Sequence, residues 1–259
     1  MPNLSGMLYV EWRKAIRSRM PLWTALASLC MPLGMAFLIF VSRNPDISRR
    51  LGLVSAKADL LSYAGTDWLS YLGLFGMIVA AAGLLLFTFV ISWVFGREFV
   101  DGTVTDLLAV PVPRSSILLA KFLVVTAWSL MLALVILVAG IVTGAVIKLP
   151  GGTADTVAQG GMLVLITACL TIVVTLPFAA LASAGRGYLL PIGGSILAIM
   201  LANVAALAGW GDYFPWGVPG IYATGEGPLP PASYWIVFFT GLVGVAATVL
   251  WWKYADQNR

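Results

Sequence analysis

An all-α polytopic membrane protein is what this sequence points to, on three observations. Of the 259 residues, 60% are hydrophobic and 10% charged, against roughly half and a quarter in soluble domains. The apolar residues gather into six charge-free runs, residues 21–41, 72–95, 122–147, 161–184, 188–208 and 234–252. Each run meets the ~20 helical residues needed to cross about 30 Å of hydrocarbon. A closed β-barrel, the other backbone that satisfies itself in lipid, would show alternating segments of about ten residues instead. Residues 1–259 are therefore read as one transmembrane domain, with a polar arm at residues 1–20.

The charges narrow the function classes. Fifteen basic and 11 acidic residues leave a net +4, and these charges flank the apolar runs, which suits membrane topology and not nucleic acid. There is no His, and Cys30 and Cys169 lie inside apolar runs. Neither a disulfide framework nor a metal site is expected. The arm is basic and lacks a small-residue cleavage site after a short apolar core, so no signal peptide is read.

On a helical wheel the arm places Leu8, Tyr9, Trp12, Ala15, Ile16 and Met20 on one side and Glu11, Arg13, Lys14, Arg17 and Ser18 on the other. Such a helix lies along the cytoplasmic leaflet with its cations toward anionic headgroups; an ordinary positive flank is the alternative. Ten Lys and Arg fall on the side of the arm, the second and fourth connections and the tail, and five on the other. Both termini are thus expected on the cytoplasmic side of the plasma membrane.

The second connection is punctuated. Arg97, Glu98 and Asp101 continue span 2 until Gly102 interrupts it. Thr103 reads as an N-cap with Asp106 in the place of a capping-box acid, opening a short helix through Leu107 and Leu108 that stops before Pro111. Pro113, Arg114, Ser115 and Ser116 then start span 3. The short helix would lie across the cytoplasmic end of a hairpin and offer Asp101, Asp106 and Arg114 as charges.

In the spans, Gly140 and Gly144 form a G-x-x-x-G pair suited to close helix approach. Thr167, Thr171 and Thr175 make a polar stripe, which reads either as a substrate path or as hydroxyls bonded back to their own helix. Pro32, Pro177 and Pro191 are candidate hinges. Asn203 is expected at a buried helix contact or on the path. The connection at residues 209–233 carries no Lys or Arg and is rich in aromatics; Tyr213, Phe214, Pro215 and Trp216 read as membrane anchors or as an external gate.

The pattern of Glu98, Gly102, Thr103, Leu107, Leu108, Pro111 and Arg114, followed by Leu119 and Lys121, resembles the cytoplasmic hairpin of exporter-type permeases of the ABC-2 family. The arm with Glu11 and Lys14, the six spans and the stretch YFPWGVPG at residues 213–220 extend the resemblance toward permeases of bacitracin and lantibiotic resistance. The resemblance implies that the short helix is a coupling helix seated on a separate ATPase chain. It also implies two permeases, copies or paralogues, with two ATPases that hold the ATP and Mg, while this chain binds no cofactor. Spans 1, 2 and 5 would repack to open the path outward. Glu98 would then be an ion-pair partner of the ATPase or of Arg13 or Lys14; otherwise it is a solvated carboxylate. No phosphate-binding string G-x-x-x-x-G-K-[ST] occurs, so the chain itself is not expected to be an enzyme. Secondary transport is disfavoured by spans free of ionisable residues, and a permease-like anchor or regulator of an ATPase stays open.

Overall fold

The computed structural model describes residues 4–44, 67–225 and 227–254. The chain order is α1 (Leu4–Arg17), α2 (Met20–Ser42), α3 (Trp68–Val100), α4 (Val104–Ala109), α5 (Arg114–Val146), α6 (Ala154–Thr175), α7 (Phe178–Ala184), α8 (Leu189–Leu207), a 3₁₀ turn (Gly211–Tyr213), α9 (Val218–Thr224) and α10 (Pro231–Tyr254). Six helices are long and apolar enough to cross a membrane, with α6 and α7 together forming the fourth span. No strand occurs among the described residues. Most of the connection between α2 and α3, with Arg49, Arg50 and Lys57, and the tail residue Arg259 lie outside the described residues.

The spanning helices outrun their apolar runs. α3 and α5 each have 33 residues, about 50 Å of helix, because their polar ends keep helical hydrogen bonds while packing on other elements. α3 is the central post, in contact with α2, α5, α6, α7, α8 and α9. α8 and α10 are peripheral, with 17% and 28% of their apolar windows buried against 50% for α3. The apolar outer face of each is what lipid requires.

Of the expected hinges, one interrupts a span. Pro32 lies inside a continuous α2, and Pro191 sits in the first turn of α8, where a missing N–H costs no helical bond. Pro177 separates α6 from α7. The break leaves the Val174 carbonyl free to accept the indole N–H of Trp216 at 2.9 Å.

The glycine pair is used inside the chain. A methyl group on Gly140 would stand 2.3 Å from the Phe75 ring, and one on Gly144 would stand 2.8 Å from Trp68. α3 therefore lies against α5 through aromatic rings seated on bare backbone. The Tyr71 hydroxyl donates to the Gly140 carbonyl at 2.8 Å, and the Trp68 indole donates to Leu149 O at 3.1 Å.

The connection between α8 and α10 folds back along the bundle. Ala223 touches Gly73 and Gly76 of α3, Gly220 approaches Ala80, and Trp216 meets Phe178 at 6.2 Å between ring centroids. The chain thus dips inward as far as the Pro177 break and returns through α9 beside α3.

Candidate functional site

Local sequence builds the short hairpin at the arm end of the bundle. Gly102, at φ +70°, takes the left-handed conformation that closes α3. Its N–H donates to Phe99 O and the next N–H, of Thr103, to Glu98 O, the paired bonds of a Schellman turn. Thr103 occupies the cap position of α4, yet its side chain caps nothing, and the expected capping box with Asp106 does not form. Thr103 sits at φ −95°, ψ 8° to close α3, away from the extended conformation that aims a capping hydroxyl at the next turn. α4 stops at Val110, extended at ψ 134°, as a residue before Pro111 should be.

α4 is held from inside. Leu107 packs on a small cluster of Met7, Ile117 and Ala120, drawn from α1 and α5. Asp106 and the prolines Pro111 and Pro113 face outward. The placement of the Leu108 side chain lies outside the description. Arg97, Asp101, Asp106 and Leu107 join Lys14, Glu98 and Thr103 around a polar recess of about 310 Å³. Asp101 is taken up by Arg97, whose Nε lies 3.0 Å from Oδ2 and whose guanidinium rests 4.9 Å above the Trp93 ring. Arg114 is exposed, and its Nη1 donates to Trp252 O at 2.8 Å, a cation at the C-terminal carbonyls of α10.

Above this hairpin lies a closed ring of four charges. Lys121 Nζ is 2.7 Å from Glu98 Oε2, 2.8 Å from Glu98 Oε1 and 3.3 Å from Glu11 Oε2, and it also donates to Val94 O at 3.0 Å. Lys14 Nζ lies 3.0 Å from both Glu11 Oε1 and Glu98 Oε1. Each carboxylate meets both ammonium groups, so the ring is neutral and ties α1 and α5 to the end of α3. Lys121 has no exposed surface, and Glu11 and Glu98 retain 4% and 5%. Burial pushes the Glu11 carboxyl upward, but Lys121 and Lys14 outweigh it and hold it below the ordinary 4.5. Burial likewise pulls Lys14 down, and Glu11 and Glu98 reverse this to leave it above 10.5.

Several expected roles change. Glu98 is buried, not solvated, and pairs with Lys14 and not Arg13, which lies over the Tyr9 ring at 5.8 Å. The polar side of α1 is split: Glu11 and Lys14 turn into the protein, while Arg13 and Arg17 stay outside and Trp12 remains exposed. The hydrocarbon-length runs are free of charge, but the helices that carry them include Glu98 and Lys121. The depth of Lys121 was missed. Its signal was an equal number of acids and bases, Glu11, Lys14, Glu98 and Lys121, at three helix ends on one side of the membrane.

The threonine path does not form in this structure. Thr167, Thr171 and Thr175 have no exposed surface and donate to Leu163 O, Thr167 O and Ile172 O of their own helix, the usual outcome for a hydroxyl with no water to meet. Asn203 is exposed, not buried at a helix contact. It donates to Ile199 O and lines a recess of about 280 Å³ with Trp216 and α9. Tyr213 is exposed, while Phe214, Pro215 and Trp216 are half-buried. An apolar cleft of about 760 Å³ opens between α2, α3 and α8, lined by Trp23, Met31, Met35, Leu86, Phe89 and Ile196 among others. These are spans 1, 2 and 5. Among the described residues no group of His, Cys, Asp and Glu could hold a metal ion.

The profile of the ABC-2 family transporter proteins matches residues 7–203, a stretch that holds most of the arm, the hairpin, the charge ring, four spans and most of the fifth. The chain is also 26% identical over 183 residues, 69% of its length and 88% of the relative's, to the bacitracin transport permease protein BCRB of Bacillus licheniformis. A bundle of six apolar helices, a short helix locked across the end of its central post and a profile match over most of the length place this chain in the ABC-2 family of transporter permeases.

Proposed function

We propose that this permease is the membrane half of an ATP-driven exporter, with the ATPase on a separate chain and α4 as the helix that docks to it. The arm end then faces the cytoplasm, in keeping with the excess of Lys and Arg there. The working assembly pairs two ATPases, which hold ATP and Mg, with two permeases, either copies or paralogues. The observation that carries this reading is mechanical continuity. α4 is joined by a hydrogen-bonded turn at Gly102 to the end of α3, an unbroken 33-residue post, and is packed through Leu107 on α1 and α5. A push on α4 therefore moves α3, and the charge ring carries α1 and α5 with it. At its other end the same post supports α9, and along its side it forms one wall of the apolar cleft.

The cleft suits an amphipathic or hydrophobic cargo. Bacitracin transport, named for the relative, favours a peptide antibiotic. The test is co-purification with an ABC ATPase in nanodiscs, with hydrolysis and bacitracin movement both measured. Asp106→Lys reverses a charge on the outward side of α4 and touches no described ion pair. It should abolish peptide-stimulated hydrolysis while the thermal midpoint of the permease stays put. Coupled transport at the wild-type rate by that variant would sink the docking role of α4.

A further inference from the structure

A groove of about 490 Å³ runs between α1 and α5, lined by Leu8, Tyr9, Trp12, Leu123, Val124 and Ala127. It exists because the outward row of α5 carries leucine at 123 and 130, each about 40% exposed, but only a methyl group at Ala127 between them. The aromatic side chains of α1 stand over that gap, Tyr9 61% and Trp12 43% exposed.

The rim of the groove is cationic for a reason inside the protein. Glu11 is the one carboxylate of α1, and the charge ring consumes it together with Lys14. Arg13 and Arg17 are left on the outer side with no ion pair among the described residues; Arg13 lies over the Tyr9 ring that walls the groove. An apolar slot open to the bilayer, at the level of an interfacial helix, with an uncompensated guanidinium at its edge, has the chemistry of one ligand class.

We propose that the groove holds one acyl chain of an anionic phospholipid from the arm-side leaflet, with its headgroup phosphate on Arg13. The lipid is a bound ligand that wedges α1 against α5, and this assignment does not depend on the ATPase reading.

Native mass spectrometry of the purified full chain, titrated with dioleoylphosphatidylglycerol or dioleoylphosphatidylcholine, tests it. Wild type should retain the anionic lipid at least about fivefold better, the ratio expected when one arginine faces a lipid of net negative charge in place of a zwitterion whose choline offsets the phosphate. Arg13→Gln should lose that preference and still hold the neutral lipid. Ala127→Phe, an exposed position that fills the slot, should hold neither there while keeping the wild-type thermal midpoint. Soluble glycerol phosphate should not bind. Wild-type retention of phosphatidylglycerol by both variants would overturn the site. So would a dimer of the chain, bound in place of lipid, that Ala127→Phe dissolves.

Discussion

At the arm end, α3 and α5 are held together by four charged side chains that also capture α1. At the far end the same two helices meet through aromatic rings set on glycine. The two devices fail differently. Buried charges need their partners complete, because an ammonium group stripped of one carboxylate cannot recover water. Rings on bare backbone need space, because a filled gap cannot be shared. The first contact is therefore sensitive to loss of one member and tolerant of matched removal; the second is sensitive to added volume and indifferent to ionic conditions.

The largest test of this contrast is at the ring. Lys121→Met leaves Glu11 and Glu98 sharing Lys14 alone and should cost about 3–5 kcal/mol, read as a fall in thermal midpoint in detergent. Combining Glu98→Gln with Lys121→Gln leaves the Glu11–Lys14 pair neutral and should restore most of that loss. If the double variant melts no higher than the single one, the four residues do not act as one unit.

A smaller effect belongs to the far end. Gly140→Ala sets a methyl group 2.3 Å from the Phe75 ring and should cost about 1–3 kcal/mol. Gly34→Ala meets nothing within 4 Å and should change the midpoint by less than about 0.5 kcal/mol equivalent. Equal effects at the two glycines would mean that α3 does not rest on α5 as described.

The smallest effect is in pH, and only the arm end should show it. The lowered carboxyl of Glu11 contributes stability that is present above its ordinary 4.5 and lost as pH falls through its depressed value. The raised Lys14 contributes stability present below 10.5 and lost as pH rises through its elevated value. Midpoints measured between these limits should be flat, with an acid decline that Glu11→Gln blunts and Gly140→Ala leaves alone. A slope across neutral pH would contradict the pairing.

Hydropathy by itself determined the number of spans, and local punctuation determined the hairpin. A run of apolar residues long enough to cross the bilayer is a property of consecutive residues, and so is a helix that ends at Gly102 or before Pro111. The amphipathic arm was legible for the same reason. Tertiary structure alone decided which polar groups meet. Glu98 is 84 residues from Lys14 and 23 from Lys121, and Lys121 is 110 from Glu11, so their pairing depends on the rotation of three helices about their axes. The same holds for Trp216, whose carbonyl partner is 42 residues away, and for the threonine stripe, which looks alike in sequence whether it faces a channel or the packed interior. Periodicity names the face of a helix, but only packing says what that face touches.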